Sequence, residues 1–480
     1  MWLFVLLKFL RILAGLLTIS LIVVGCRSDK VISDTIPTVL TPYFSQSIEH
    51  DVRVPFFNSS VHITEMGQDN ATTLLLVHGL GANAAGDWAL LVSELSKKYH
   101  LVALDLPGFG KSEHSNEILY TPENYSKLLH WVRQRYAKSL TIVVGHSMGA
   151  AISLKYASEY PDDIQRLVMI DAAGILQESV FIKYIAQLSS NKSTQNPFKK
   201  VWNNVLKKVD SITEAIIHKG DEFVALKSLV LNNPQVRKFL VGDYSMANAA
   251  TGLVIEDFSR AIRSFDKPVL IVWGEDDPVA PIRTANVLHH NLPYSKLQVI
   301  ANTQHVPMKE RPRDTLFILQ QWLDSSPQEL TIQDPRLAKD LEVFSSQRRI
   351  DCKDTENKHF SGDYHSISIV NCKNIRLTDV RAQTILIENS SVLLDKVEVR
   401  QGINVRLSKI KATAMNVFGA TPLTAESSTL DIAGSNFVAS QLAMTFVGEN
   451  LLYWSVSSYK KGSDAVQYLH GRKVEVDTSY

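Results

Sequence analysis

The five residues Gly145-His146-Ser147-Met148-Gly149 restrict this chain more than any other feature, because of what stands on either side of them. Leu140 to Val144 is a short aliphatic run of the kind that forms a buried strand, and the stretch from Ala150 to Tyr160, stopped by Pro161, reads as a helix. A serine between strand and helix, with glycine two residues away on each side, marks a strained turn. A side chain at either glycine would meet neighbouring strands, and the turn lifts the hydroxyl above the sheet. The same turn puts the Met148 amide at a helix N-terminus, aimed at any oxygen bound over the hydroxyl.

A chain with such a turn needs strands that alternate with helices, and the pattern is present. Thr73 to Val77, Leu101 to Leu104, Arg166 to Ile170, Val269 to Trp273 and Lys296 to Ile300 are short aliphatic runs, with helical stretches such as Trp88 to Lys98 between them. Runs this continuously apolar predict a doubly wound α/β sheet covered on both faces. The pattern spans residues 46–325. Inside it, residues 175–265 lose the alternation and read as helices, including Phe198 to Val209 and Phe223 to Leu231, an insertion expected to lie over the strand ends as a lid. Residues 326–350 follow as a polar connector.

Candidate chemistry gathers at the strand ends. His78-Gly79-Leu80-Gly81 follows a strand, and its glycines let the backbone approach a substrate, so the Leu80 amide is expected to join that of Met148 as an oxyanion donor. His78 itself is expected to pack the loop. Glu275, Asp276 and Asp277 compete for one acidic role after Val269 to Trp273, with Asp171 after another strand as a further candidate. Among 14 histidines, His305 stands out, since it follows a strand and short loop and opens His305-Val306-Pro307-Met308 before the closing helix Leu316 to Leu323. A serine hydroxyl is a poor nucleophile until an imidazole takes its proton, and a buried carboxylate holds that imidazole in the useful tautomer. No metal cluster, phosphate-binding loop or nucleotide fingerprint is legible, so neither metal nor cofactor is expected, and a net charge of +1 argues for no nucleic-acid partner.

Residues of about 50 to 325 resemble the α/β-hydrolase superfamily, and within it the monoacylglycerol-lipase and lipase-3-like serine esterases. The resemblance is carried by His78-Gly79-Leu80-Gly81, Asp105-Leu106-Pro107-Gly108-Phe109-Gly110, Gly145-His146-Ser147-Met148-Gly149, Trp273-Gly274-Glu275-Asp276-Asp277, and His305 with Glu310-Arg311-Pro312. It implies Ser147 as nucleophile, His305 as base and Asp277 as acid, the last because Trp273, Gly274, Asp277 and Pro281 fit the family's W-G-x-x-D-x-x-x-P. The implied reaction is hydrolysis of carboxylic esters of lipid-like alcohols through an acyl-enzyme. Haloalkane dehalogenases and epoxide hydrolases use aspartate as nucleophile, and Ser147 departs from them. Carbon–carbon bond hydrolases of ring-cleavage products share the triad and remain an alternative.

Outside this region the ends of the chain carry separate signals. Met1 to Gly25 is almost wholly apolar with Lys8 and Arg11 as its only charges, and Ile12 to Gly25 is short for a span that needs about 20 residues, so a cleaved signal peptide is favoured over an anchor or a core helix. Val23-Val24-Gly25-Cys26 resembles the lipobox of bacterial lipoproteins, which implies a lipidated Cys26 holding the protein to a membrane. Arg27, standing where aspartate would favour the inner membrane, points to the outer membrane of a bacterial envelope. Residues 26–45, broken by Pro37 and Pro42, read as a tether. The other cysteines, Cys352 and Cys372, are either a disulfide or two separate buried thiols.

From residue 351 to 480 the texture turns to β-rich alternation with a repeat. Ile367, Ile385 and Ile403 are spaced by 18, as are Ile369, Ile387 and Val405, Val392 and Ile410, and Val399 and Val417. This predicts an all-β solenoid, like a right-handed parallel β-helix, whose register slips by about two residues after Phe418 and then fades. Its partner is unknown: it is a recognition surface or a passive spacer. It would be the functional part were the chain an envelope binding protein with a drifted hydrolase, but no triad member is missing.

Overall fold

The aliphatic runs pair into one eight-stranded sheet in the computed structural model, which describes residues 46–81, 84–114, 118–138, 140–176, 245–254, 256–326, 346–442 and 444–479. The strands are β1 (Ile48–Val54), β2 (Ser59–Met66), β3 (Thr72–Val77), β4 (His100–Leu104), β5 (Leu140–His146), β6 (Arg166–Ile170), β7 (Val269–Gly274) and β8 (Ser295–Ile300), in spatial order β1-β2-β4-β3-β5-β6-β7-β8. β4 to β8 join through parallel pairings, while β1 and β2 are antiparallel additions. The sequence reading did not foresee these two strands. β1 is an edge strand carrying Glu49, His50, Asp51 and Arg53, so it has no aliphatic run to betray it.

Helices cover both faces, and the strands feed two cores by alternation. They are α1 (Ala89–Leu95), α2 (Pro122–Tyr136), α3 (Met148–Glu159), α4 (Ser245–Val254), α5 (Ser259–Ser264), α6 (Ile282–Asn291), α7 (Pro307–Glu310) and α8 (Pro312–Leu323). Leu75, Val77 and Val143 point into a core with Leu128 and Ile152, whereas Leu74, Leu76 and Val144 point the other way, against Leu91, Leu319 and Trp322. Burial on two faces explains why these strands read as unbroken apolar runs. Cys26, the signal and tether segments, most of the expected lid and most of the connector lie outside the described residues.

The C-terminal part is an all-β domain of parallel strands, β-helix-like in its pairing. Aliphatic positions spaced by 18 are cross-strand neighbours: Ile367 faces Ile385 and Ile385 faces Ile403, Ile369 faces Ile387, Val392 faces Ile410 and Val399 faces Val417. After Phe418 the repeat does not fade; its step lengthens. It becomes 20 from Ile403 to Leu423 and from Val417 to Phe437, then 22 from Leu430 to Leu452 and from Phe437 to Tyr459. Added residues fall in turns such as 420–422, leaving strand partners in register. Buried serines knit successive turns: Ser390 Oγ accepts from the Cys372 amide at 2.9 Å, Ser408 Oγ from Ser390 at 3.0 Å, and Ser428 Oγ from Ser408 at 3.1 Å. These bonds satisfy amides at the corners that would otherwise be buried without a partner. Gln467–Ser479 returns antiparallel along Met444–Lys461 and ends the stack.

This domain packs into the core of the α/β part. Ala433 and Val456 belong to the same buried cluster as Val287 and Leu288 of α6, and a Cβ on Gly434 would lie 3.0 Å from a Val287 methyl. Arg283, at the start of α6, spends its whole guanidinium there. Nε donates to Thr413 Oγ1 at 2.8 Å, Nη1 to both Asp431 carboxylate oxygens at 2.9 and 2.8 Å, and Nη2 to the Ala412 and Asp431 carbonyls at 2.6 and 3.2 Å. Hydrogen bonds to charged groups stabilise by about 1.5–3 kcal/mol, so Arg283→Met is expected to destabilise the protein by about 2–3 kcal/mol in chemical denaturation. A double-mutant cycle with Asp431→Asn is expected to return a coupling above about 1 kcal/mol; additive losses would contradict the pairing.

Candidate active site

β5 ends at His146, and Ser147 then takes φ 53 and ψ −120, outside the conformations an L-residue adopts cheaply. The flanking glycines make this turn possible. A Cβ on Gly145 would lie 2.5 Å from the Gly149 carbonyl oxygen, and one on Gly149 would lie 2.3 Å from that of Val77. The Ser147 amide donates to Ile170 O at 2.9 Å, and its carbonyl accepts from Ala150, Ala151 and Ala173. The serine is therefore held from β6, from the residue Ala173 beyond it and from α3, and its side chain is directed at one partner.

That partner is His305. Ser147 Oγ lies 2.8 Å from His305 Nε2, and His305 Nδ1 donates to Asp277 Oδ2 at 2.7 Å. Three segments remote in sequence thus form one chain of hydrogen bonds. Asp277 is also held by the amides of Val279 (2.7 Å) and Ala280 (3.0 Å), both donating to Oδ1. Of the competing carboxylates, Glu275 and Asp276 are exposed. Asp171 is buried with φ 44; its Oδ1 accepts from the Gly274 amide at 2.8 Å, and burial together with the Asp277 charge pushes its carboxyl well above the usual range.

Burial lowers the His305 imidazole below its ordinary value, opposed by the hydrogen bond to Asp277 and reinforced by His146. The loop carrying it is pinned by Glu310, whose carboxylate accepts from the Gln304 amide at 2.7 Å and the Val306 amide at 3.1 Å. Sequence reasoning quoted Glu310 as part of a motif and missed this grip, which no spacing rule reveals. The acid loop and the base loop also touch: a Cβ on Gly274 would fall 1.9 Å from Gln304 O.

The two expected oxyanion donors belong to segments that adjoin the nucleophile turn. Met148 is the first residue of α3, where amides have no acceptor within the helix. Leu80 follows Gly79, whose backbone lies so close to the nucleophile turn that a Cβ there would be 2.9 Å from Ser147 Cβ. His78 is fully buried and bonded on both nitrogens, Nδ1 donating to Gly79 O at 2.7 Å and Nε2 accepting from the Leu106 amide at 2.9 Å. Asp105, the first residue of the Asp105 to Gly110 motif, accepts from the amides of Ala85 and Lys111, each at 2.8 Å, and fixes the loop beside it.

His146, Asp171 and His305 offer metal-ligand atoms within 4.8 Å of one another. His305 gives one ring nitrogen to Ser147 and the other to Asp277, and His146 Nε2 is bonded to a carbonyl, so the base itself is committed to hydrogen bonding. Cys352 and Cys372 lie in the β domain as two free, buried thiols, their sulfurs in contact at 3.1 Å without the disulfide that was the other expectation.

Residues 72–312 match the family model described as alpha/beta hydrolase fold. Lipase 3 of a Moraxella species is 27% identical over 313 residues, covering 63% of this chain and 94% of that protein. Lipase 1 of Psychrobacter immobilis is 28% identical over 258 residues, covering 52% and 76%. An uncharacterized hydrolase of Bacillus subtilis is 28% identical over 247 residues, covering 50% and 85%. The matched stretch holds the serine, acid and histidine loops and stops before the β domain.

The turn itself yields a prediction that needs no substrate. Gly149→Ala places a methyl against the carbonyls of Val77 and His78, main-chain atoms that cannot swing aside as a flexible side chain would. We expect destabilisation of at least about 2 kcal/mol, read as a lowered melting temperature; an unshifted melt would contradict the packing.

Proposed function

This chain belongs to the alpha/beta hydrolase fold family, and from that premise we propose that it is a serine carboxylic-ester hydrolase of the lipase and esterase kind, acting on esters of lipid-like alcohols. The observation that carries the reading is the unbroken chain Ser147 Oγ, His305 Nε2, His305 Nδ1, Asp277 Oδ2 at 2.8 and 2.7 Å, built on a strained serine. Relatives whose names are lipases support the substrate class.

In the proposed cycle Ser147 Oγ attacks the ester carbonyl carbon while His305 Nε2 takes the hydroxyl proton. The Leu80 and Met148 amides hold the negative oxygen of the tetrahedral intermediate. Its collapse breaks the carbon–oxygen bond to the alcohol, which leaves with the proton from His305, and an acyl group stays on Ser147. Water then attacks the acyl carbon, His305 takes its proton, and the acid departs as Ser147 Oγ is reprotonated. Asp277 keeps its charge throughout and stabilises the imidazolium.

We further propose that Cys26 is lipidated and fixes the enzyme to the outer membrane of a bacterial envelope, where lipid esters are its neighbours. The lipobox resemblance at residues 23–26 supports this. Acyl attachment at Cys26 is tested by the mass of the mature N-terminal peptide; an unmodified peptide beginning elsewhere refutes it.

Ser147→Ala is expected to cut turnover of a p-nitrophenyl acyl ester by at least about 10⁴-fold, and Asp277→Asn by about 10⁴-fold. Retained turnover in Ser147→Ala would remove the assignment. Failure of the intact enzyme on an acyl-length series, with cleavage of a ring-opened dioxo acid instead, would move the same triad to carbon–carbon bond hydrolysis. His305 acts as a base only when neutral, and its pKa is lowered, so kcat/KM should hold as pH falls and decline only below about 6.5. An acid limb centred above that pH would contradict the buried environment.

A further inference from the structure

Two consecutive residues of the nucleophile turn bond to the same histidine, at its opposite ends. Ser147 Oγ meets the ring of His305 at 2.8 Å, and His146 Nε2 donates to the main-chain carbonyl of His305, also at 2.8 Å. His146 is 4% exposed, so this bond is shielded from competing water. Because both anchors sit on one strained piece of backbone, the distance between them is set by covalent geometry, and with it the placement of His305.

His146 is itself wedged. Its Nδ1 lies 3.7 Å from Asp87 Oδ2, and Asp87 Oδ1 accepts from Lys309 Nζ at 2.7 Å. Asp87 belongs to the short 3-10 turn Ala84–Trp88 after the Leu80 loop, and Lys309 to α7 after His305. The same edge of the ring faces the Leu80 loop, for a Cβ on Gly79 would lie 3.0 Å from His146 Nδ1. The imidazole of His146 is thus in contact with the oxyanion loop, the nucleophile turn and the base segment at once. Glu310 secures the amides on either side of His305, and His146 secures its carbonyl.

We propose that His146 is a positioning residue for the base: by holding the His305 main chain to the nucleophile turn, it keeps Nε2 within hydrogen-bond distance of Ser147 Oγ while the ring gains and loses a proton. It acts through His305 and touches no reacting atom. Losing this anchor frees a buried carbonyl and lets the ring drift, and a displacement near 1 Å at a reacting group costs on the order of 10²-fold in rate.

The test uses the full chain with His146→Gln, whose amide nitrogen can still reach the carbonyl, His146→Asn, one methylene short, and His146→Leu, which cannot donate. We expect His146→Asn and His146→Leu to lose about 10- to 100-fold in kcat with KM near that of the parent, and His146→Gln to recover kcat to within about fivefold. Melting temperatures are taken alongside, and if His146→Leu does not fold, the Asn and Gln pair decides. Wild-type kcat in His146→Asn, or an equal loss in the Gln and Asn variants, overturns the role. The inference rests on the hydrolase reading, so Ser147→Ala is assayed with them. Activity surviving in Ser147→Ala removes that reading, whereas an inactive Ser147→Ala beside a fully active His146→Asn removes only the role of His146.

Discussion

Ser147 holds a backbone conformation that costs on the order of 1–3 kcal/mol, and such strain persists only where the surroundings over-determine it. Here they do so through contact at backbone distance. Gly145 lies against Gly149 and Ala150, Gly149 against Val77 and His78, and the Ser147 amide and carbonyl are bonded to β6, to α3 and to Ala173. The central strands must therefore be parallel and closely spaced at the point where the chain turns into a helix. With the turn fixed, the hydroxyl has one direction to face, and β7 and β8 deliver Asp277 and His305 there.

Much of this could be read from sequence because the determining contacts are local. The Gly145 to Gly149 turn, the glycines after β3 and the runs that make β3 to β8 each declare themselves within a few residues. The acid needed more, since Glu275, Asp276 and Asp277 are chemically alike as letters. Burial separates them, along with two amides on Asp277, and family resemblance was the only sequence signal for it. What stayed illegible was long-range. Glu310 gripping the amides beside His305, His146 reaching a carbonyl 159 positions away, and the antiparallel edge β1 leave no periodic trace.

The β domain shows the same division. Its 18-residue repeat was visible while strands and turns were equally long, and it vanished from view when turns took in extra residues. Parallel pairing continued regardless, because register in a stack is set by which aliphatic side chains meet inside it. Its attachment was not foreseeable either. Ala433 and Val456 sit in the core of the α/β part and Arg283 is saturated by Asp431, Ala412 and Thr413 on two strands of the β domain, so the domain is built into its neighbour rather than strung behind it.

If the serine is activated by the histidine it faces, it should react with an electrophile that mimics an ester but cannot be released. Incubation with an alkyl fluorophosphonate, followed by peptide mass spectrometry, reads this directly. The account predicts one adduct per chain, on the peptide carrying Ser147, and a loss of labelling when His305 is replaced by Ala. An adduct on a different residue, or labelling of Ser147 that is indifferent to His305, would contradict it.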